Sequence, residues 1–323
     1  LGGVVDRHRA LLREELPPWS RRVSGYALDR LLPERGADPA AALVGAEGTC
    51  AVVLGATLGL VEIPKARVLV VLGFPDDVAA AAAVPELLPL DPLTLEGITA
   101  GLFTPAERVR LDGLLPEGEA WLLAEADGAA PAEAADHAAR LAAGHRAALV
   151  LDDPVAQARL WRLRKEGSGR ATRLPDGSPG WPGLEDAAVP PGRLAAYLEA
   201  FHTLKADHGF HGTTYGHFGE GCLHVRIGFD LTNGEGIQCY AAFMDEAAAL
   251  IVEHGGSLSG EHGDGRARGA LLPAMYSPEM MAAFAEFRAI WDPAGVLNPG
   301  VLVDPAPITE SLRPAEASRI DLD

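Results

Sequence analysis

The chain is poor in cysteine and in positive charge, and each shortage excludes a class of protein. Only Cys50, Cys222 and Cys239 occur, and no two form a CxxC pair. The chain therefore carries no iron–sulfur or zinc-ribbon framework of its own. Such scattered thiols fit a reducing, cytoplasmic compartment, and taken singly they fit small buried apolar residues. Lysine and arginine total 27 against 45 aspartates and glutamates, a formal net charge of -18. That balance argues against a nucleic-acid partner, because phosphates must be neutralised by cations. It leaves room for a small anion met by local basic residues. No run of about 18 apolar residues appears, so no transmembrane segment is expected. The opening LGGVVDRHRA lacks the layout of a signal peptide. It also lacks an initial methionine, which points to a processed product or a piece of something longer.

What the chain does have is length and apolar content. Its 323 residues suffice for about two or three domain-sized units, and 48% hydrophobic residues mark it as globular. A charged helix near the start should stop at Pro17-Pro18. The run CAVVLGATLGLVEI (50–63), apolar on both faces and rich in Val, reads as a buried strand. So does 68–74. A helix over 76–88, strands over 93–97 and 121–126, a helix over 132–146, a strand over 149–151 and a helix over 154–166 follow. In the middle of the chain the order is strand, helix, strand, strand, helix, strand. That order predicts an α+β fold, a ferredoxin-like antiparallel sheet with flanking helices. Residues 167–191 are rich in Gly, Pro and Ser and read as a long ordered loop of the kind that carries function. Helices over 193–208, 241–254 and 280–290 and strands over 213–216 and 223–229 complete the pattern, with a loose tail at the end.

Chemistry concentrates in two glycine-containing segments, YGHFGEGCLH and GGSLSGEHGDG. His217 and His224 lack the i,i+4 spacing of a helical metal pair, yet a loop entering a strand can turn both rings to one point. With Glu261 they make two imidazoles and a carboxylate, a donor set suited to zinc with an open position. Read singly, a histidine is more often hydrogen-bonded structure than a ligand. Glu261 and His262 are neighbours, so in extended backbone one can reach a metal while the other faces a substrate. Asp264, Arg266 and Arg268 fit a charged surface loop as well as they fit support for the site or anion binding, and Glu220 fits a supporting role better than that of a further ligand. Arg164 in LWRLRKE is the best anion receptor, because a guanidinium offers a two-pronged fork to a carboxylate; Arg170 and Arg173 are weaker candidates. GAEGT (45–49) is a short Gly turn without the GxGxxG layout of a nicotinamide site.

Five motifs in order, SGYALDRLL, LVGAEGTCAVVLGATLGLV, YGHFGEGCLHVRI, GGSLSGEHGDGRARGALLPAMY and WDPAGVLNPG, resemble the FAD-linked oxidases of the vanillyl-alcohol-oxidase superfamily. Within it the chain is most similar to D-lactate and D-2-hydroxyglutarate dehydrogenases and the glycolate oxidase FAD subunit. Its GEGCLH, GEHGDG and WPGLEDAAVPP wording resembles a branch fused to an iron–sulfur oxidoreductase half. The resemblance implies a metal, zinc for preference, on His217, His224 and Glu261. It implies His262 as the base that takes the substrate hydroxyl proton and Arg164 as the receptor of the substrate carboxylate. Ser168 stands where a threonine often assists. The resemblance also implies FAD contacts from Gly45, Glu47, Gly48 and Thr49, and from Asn298 near the flavin ring. The expected reaction takes a small anionic D-2-hydroxy acid to its 2-oxo acid by metal-assisted deprotonation and hydride transfer to flavin. Electrons then pass to the iron–sulfur half or another acceptor.

The chain departs from the family pattern in three places. The substrate-binding lysine of hydroxyglutarate enzymes has no match in GWPGLEDAAVP, so a distal carboxylate site is not implied. Val301 stands after NPG where many members carry lysine. SGY comes early, which predicts a fragment that binds metal, holds FAD poorly and is inactive alone. The expected division is a partial FAD-binding domain over 1–65, a substrate or cap domain over 66–270, a closing helical segment over 271–303 and a tail over 304–323. Two other readings keep parts of this picture: a metal-independent flavin alcohol oxidase using tyrosine and arginine, and a non-catalytic metal-binding module.

Overall fold

A computed structural model describes residues 1–16, 19–111, 113–174, 177–310 and 312. Among them the helices are α1 (Gly2–Glu15), α2 (Pro39–Leu43), α3 (Asp77–Leu87), α4 (Pro105–Arg110), α5 (Pro131–Ala142), α6 (Pro154–Arg170), α7 (Leu194–Asp207), α8 (Gly234–Glu253), α9 (Gly265–Arg268) and α10 (Pro278–Trp291). The strands are β1 (Ala66–Phe74), β2 (Thr94–Thr99), β3 (Ala120–Gly128), β4 (Ala148–Leu151), β5 (Gly212–His217) and β6 (Cys222–Ile227). The chain divides into two compact units. The first comprises Leu1–Ala56, Phe229–Glu253 and the described residues from Ser257 onward; the second comprises Thr57–Gly228 and His254–Gly256.

The second unit is built on one antiparallel sheet in the order β4-β1-β3-β2-β5-β6. Val68–Leu72 of β1 and Ala120–Ala126 of β3 are buried on both faces, so they are apolar without alternation and lie at the sheet centre. Helices begin where side chains cap them. Asp76 accepts from the amide of Ala79 at the start of α3, and Asp153 accepts from Val155 and Ala156 at the start of α6, where Pro154 stands at a position needing no donor. One face of the sheet buries Leu69, Val71, Ile98, Trp121, Leu123 and Tyr215 against Leu160 of α6. The expected α+β sheet is therefore present, and the β5–β6 hairpin extends it beside β2.

The first unit is helical. α1 packs on α10, and Tyr26 meets Phe284 edge-on with ring centroids 5.6 Å apart. Leu12, Leu16 and Leu28 are fully buried. Ser277 caps α10 by accepting from Met280.

Three expectations need correction. Residues 51–64 form no strand; Leu54 and Leu60 are 96% exposed, because no described segment pairs with this run. By contacts, α8 and the segment from Ser257 pack within the first unit, while His254–Gly256 belong to the second. Residues 167–170 continue α6 instead of opening the loop. α8 starts at Gly234, well before 241. Pro17-Pro18 and most of the expected tail lie outside the described residues. Among the described residues no helix is long and apolar enough to cross a membrane.

Candidate functional site

The second unit gathers one group of functional side chains on the sheet face covered by α6. The register pairs Tyr215 with His224, His217 with Cys222 and Thr213 with Arg226. Directly paired residues share a face, so Tyr215, His217, His224 and Arg226 point the same way. Pairing of Gly97 with Gly216 puts Glu96 on that face too. The rings of His217 and His224 are 5.3 Å apart, and Tyr215 lies 5.1 Å from His224. Glycine at 97 is required, because a Cβ there would stand 2.2 Å from the Phe218 ring.

Glu96 organises this group. Its Oε1 is 2.7 Å from His217 Nδ1, and its Oε2 accepts from Arg164 Nε at 2.9 Å. Burial pushes the Glu96 carboxyl upward, but the His217 hydrogen bond and the Arg164 charge outweigh it and hold it below the usual range. Arg164 is not a helix-surface residue: its side chain is 12% exposed and its guanidinium lies over the Tyr215 ring at 5.3 Å. Its Nη2 lies 2.8 Å from the same Glu96 oxygen, so that one carboxylate oxygen faces both Nε and Nη2 of the guanidinium.

His224 is positioned by the loop that covers the outer edge of β6. Trp181 and Ile227 exchange amide bonds, and Leu223 donates to the Ala187 carbonyl at 2.8 Å. This brings the Glu185 carbonyl to His224 Nδ1 at 3.0 Å and the Glu185 carboxylate to Arg226 at 2.6 Å. Carboxylate and carbonyl oxygens only accept, so both imidazoles carry their proton on Nδ1 and would bind a metal through Nε2.

The first unit holds the other predicted residues on a loop. Glu261 pairs with Arg21, and His262 Nε2 lies 3.5 Å from Glu261 Oε1. Two carboxylates, half-buried Glu47 and buried Asp264, brace the turn behind them. Glu47 accepts from the amides of Asp264 at 2.7 Å and Gly265 at 2.8 Å. Asp264 accepts from the Ser24 hydroxyl and the Gly25 amide, both at 2.8 Å. Burial pushes the Asp264 carboxyl up to about 6 and the Glu47 carboxyl upward as well. Arg268 donates to the Gly263 carbonyl, and Gly263 donates to Ser259 Oγ. Asp264 and Arg268 therefore hold the loop.

The residues expected near flavin divide in the same way. Both Glu47 oxygens are occupied by backbone, and Thr49 is fully buried, its hydroxyl 2.6 Å from Tyr26. Their side chains brace the unit. Asn298 donates to the Glu47 carbonyl at 2.7 Å. Gly45 and Gly48 turn at φ 83° and 70° with no atom within 4 Å of where a Cβ would stand, so their backbone is open to a flat ligand.

Arg170 is taken up by Glu107 and Glu166, and Arg173 by the Gly177 carbonyl. The side chain of Ser168 lies outside the described atoms. Sequence reasoning missed Glu96, Tyr215 and Glu185. The available signals were a carboxylate inside the apolar run TLEGIT and the alternation of CLHVRI, whose polar residues share one face.

Residues 63–302 match the family described as FAD linked oxidases, C-terminal domain. The chain is 27% identical to the D-2-hydroxyglutarate dehydrogenase of Haemophilus influenzae, covering 92% of the chain and 31% of that protein. It is 30% identical to the D-lactate dehydrogenase of Archaeoglobus fulgidus, covering 87% of the chain and 59% of that protein. It thus spans about a third to three-fifths of the length of these relatives. Among solved structures, 4-ethylphenol oxidase from Gulosibacter chungangensis shares the fold at a TM-score of 0.50 and 15% identity, over 74% of the chain and 54% of that protein.

Proposed function

From a chain that belongs to the FAD linked oxidases through their C-terminal domain, we propose the substrate-handling part of an FAD-dependent D-2-hydroxy-acid dehydrogenase. The observation that carries this reading is the joining, on one sheet face, of two Nδ1-anchored imidazoles with a half-buried arginine that Glu96 holds in place. One group fits a metal and the other a carboxylate, and a 2-hydroxy acid presents a hydroxyl and a carboxylate together.

The metal ligands proposed are His217 and His224 through Nε2, and Glu261. Two imidazoles and a carboxylate are the donors zinc accepts while keeping a position open. A metal bound there supplies Lewis acidity toward the substrate hydroxyl. Arg164 receives the substrate carboxylate through its guanidinium, whose plane Tyr215 supports. His262 accepts the hydroxyl proton, and the Glu261 carboxylate beside its Nε2 stabilises the imidazolium formed. Bound FAD supplies the hydride acceptor; the open backbone at Gly45 and Gly48 fits its approach, with the glycines rather than Glu47 and Thr49 in contact.

The test measures zinc content of the purified chain, and 2-hydroxy-acid-dependent dye reduction in the full-length gene product. His217→Ala should remove the metal and the turnover. Arg164→Gln should raise KM more than it lowers kcat, and His262→Gln should lower kcat by about 10²-fold or more. Full turnover in metal-free His217→Ala would instead favour a metal-independent oxidase using Tyr215 and Arg164, whose stacking is the observation favouring that second reading.

A further inference from the structure

Glu96 is a single buried carboxylate shared by two groups with separate tasks. Oε1 holds Nδ1 of His217 at 2.7 Å, and Oε2 holds Arg164 at 2.9 Å through Nε and 2.8 Å through Nη2. Thr94 also donates to Oε1, at 3.0 Å. The side chain is 9% exposed, so water cannot replace either partner at low cost. We propose that Glu96 is a positioning residue that couples the metal site to the substrate-carboxylate site, so that each tightens when the other is filled. This rests on the roles proposed above for His217 and Arg164.

The coupling follows from one charge serving two partners. While Arg164 is paired only with Glu96, it draws carboxylate charge toward Oε2. An incoming carboxylate on Nη2 takes part of that demand, and Glu96 then accepts more strongly from His217. A stronger acceptor at Nδ1 makes the imidazole a better donor at Nε2, and loss of such a partner commonly weakens metal affinity by about 10- to 100-fold. Linkage requires the reverse effect as well: bound metal must tighten the carboxylate by the same factor. Changing the Glu96 side chain alters the His217 bond directly.

The experiment is zinc titration of the full chain against a competing chelator, with and without propionate, which carries a carboxylate but no 2-hydroxyl. Propionate should tighten zinc binding severalfold in the wild type. Glu96→Gln should weaken zinc binding about tenfold or more and abolish the propionate effect. Nitrogen-15 NMR of the zinc-free chain gives a second measure: the Nδ1–H tautomer of His217 should lose its dominance in Glu96→Gln alone. Arg164→Gln, which spares the His217 bond, should also abolish the propionate effect, so the idea is testable even if Glu96→Gln folds poorly. Unchanged zinc affinity in a folded Glu96→Gln, or a propionate effect that survives there, overturns the coupling while the metal site stands. A wild type that binds no zinc, or binds it independently of His217, removes the metal reading and this proposal together.

Discussion

The two units hold their functional groups by different means. In the second unit the histidines sit on paired strands, and their rings are tied to a carboxylate and a carbonyl brought in by sheet register and by an edge-covering loop. In the first unit Glu261 and His262 sit on a glycine turn, which is held from behind by the carboxylates of Glu47 and Asp264. Strand mounting makes position a property of the whole sheet. Loop mounting makes it a property of a few hydrogen bonds to acids whose charge is costly to bury. A fault in the first arrangement should therefore unfold the unit, and a fault in the second should loosen the loop.

The largest test is Gly216→Ala. A Cβ there would stand 2.3 Å from the Cys222 carbonyl oxygen, at φ 156°. Urea denaturation should show a loss of roughly 4 kcal/mol, with one cooperative transition. A loss under about 1 kcal/mol would mean that the hairpin yields, and the contrast would fail.

Next comes the pH dependence of Asp264. Its carboxyl is pushed up to about 6 from 3.8, so the folded state favours the protonated acid. Its contribution to stability is greatest below about 3.8 and falls as pH rises through about 6, by roughly 3 kcal/mol in all. Asp264→Asn should remove that fall. Stability curves for the two proteins between pH 4 and 7, on the order of the window set by these values, should converge at low pH if the sign is right.

Glu47→Gln is a smaller change. One of the two amides it serves loses its acceptor, costing about 1–2 kcal/mol. Hydrogen exchange should speed at Asp264 and Gly265 while the β5–β6 amides stay protected. Equal loss of protection in both places would erase the distinction between the units. Gly48→Ala is the smallest: with φ 70° and open space around it, the cost should be about 1 kcal/mol of backbone strain. FAD retention should suffer more than stability if that backbone faces a flavin.

The parts legible in the sequence were those whose pattern and partners agree. The runs at 68–74 and 121–126 are apolar on both faces and became β1 and β3 at the sheet centre. The run at 50–63 has the same composition but no described segment to pair with, and it remained irregular. Apolar content gives the tendency to be a strand; a neighbouring strand is needed to satisfy its amides. His217, His224, Glu261 and His262 stood out because imidazoles and acids among glycines are conspicuous. Glu96 did not, because its bond to His217 spans 121 residues and exists only through the β2–β5 register. Glu47 stood out through its motif alone, and its bonds to the amides of 264 and 265 span 217 and 218 residues.

That irregular run sets how copies of the chain behave toward one another. Val52, Val53, Leu54, Leu58, Leu60, Val61 and Ile63 are each at least 72% exposed, on backbone that has unsatisfied pairing capacity. Opposing this is a net charge of -18 on every copy, which repels at long range. The two forces respond differently to added salt: at about 1 M the electrostatic range shrinks to about 3 Å, while apolar attraction persists. Light scattering should therefore show association that grows with ionic strength, and lysines placed at positions 54 and 60 should suppress it.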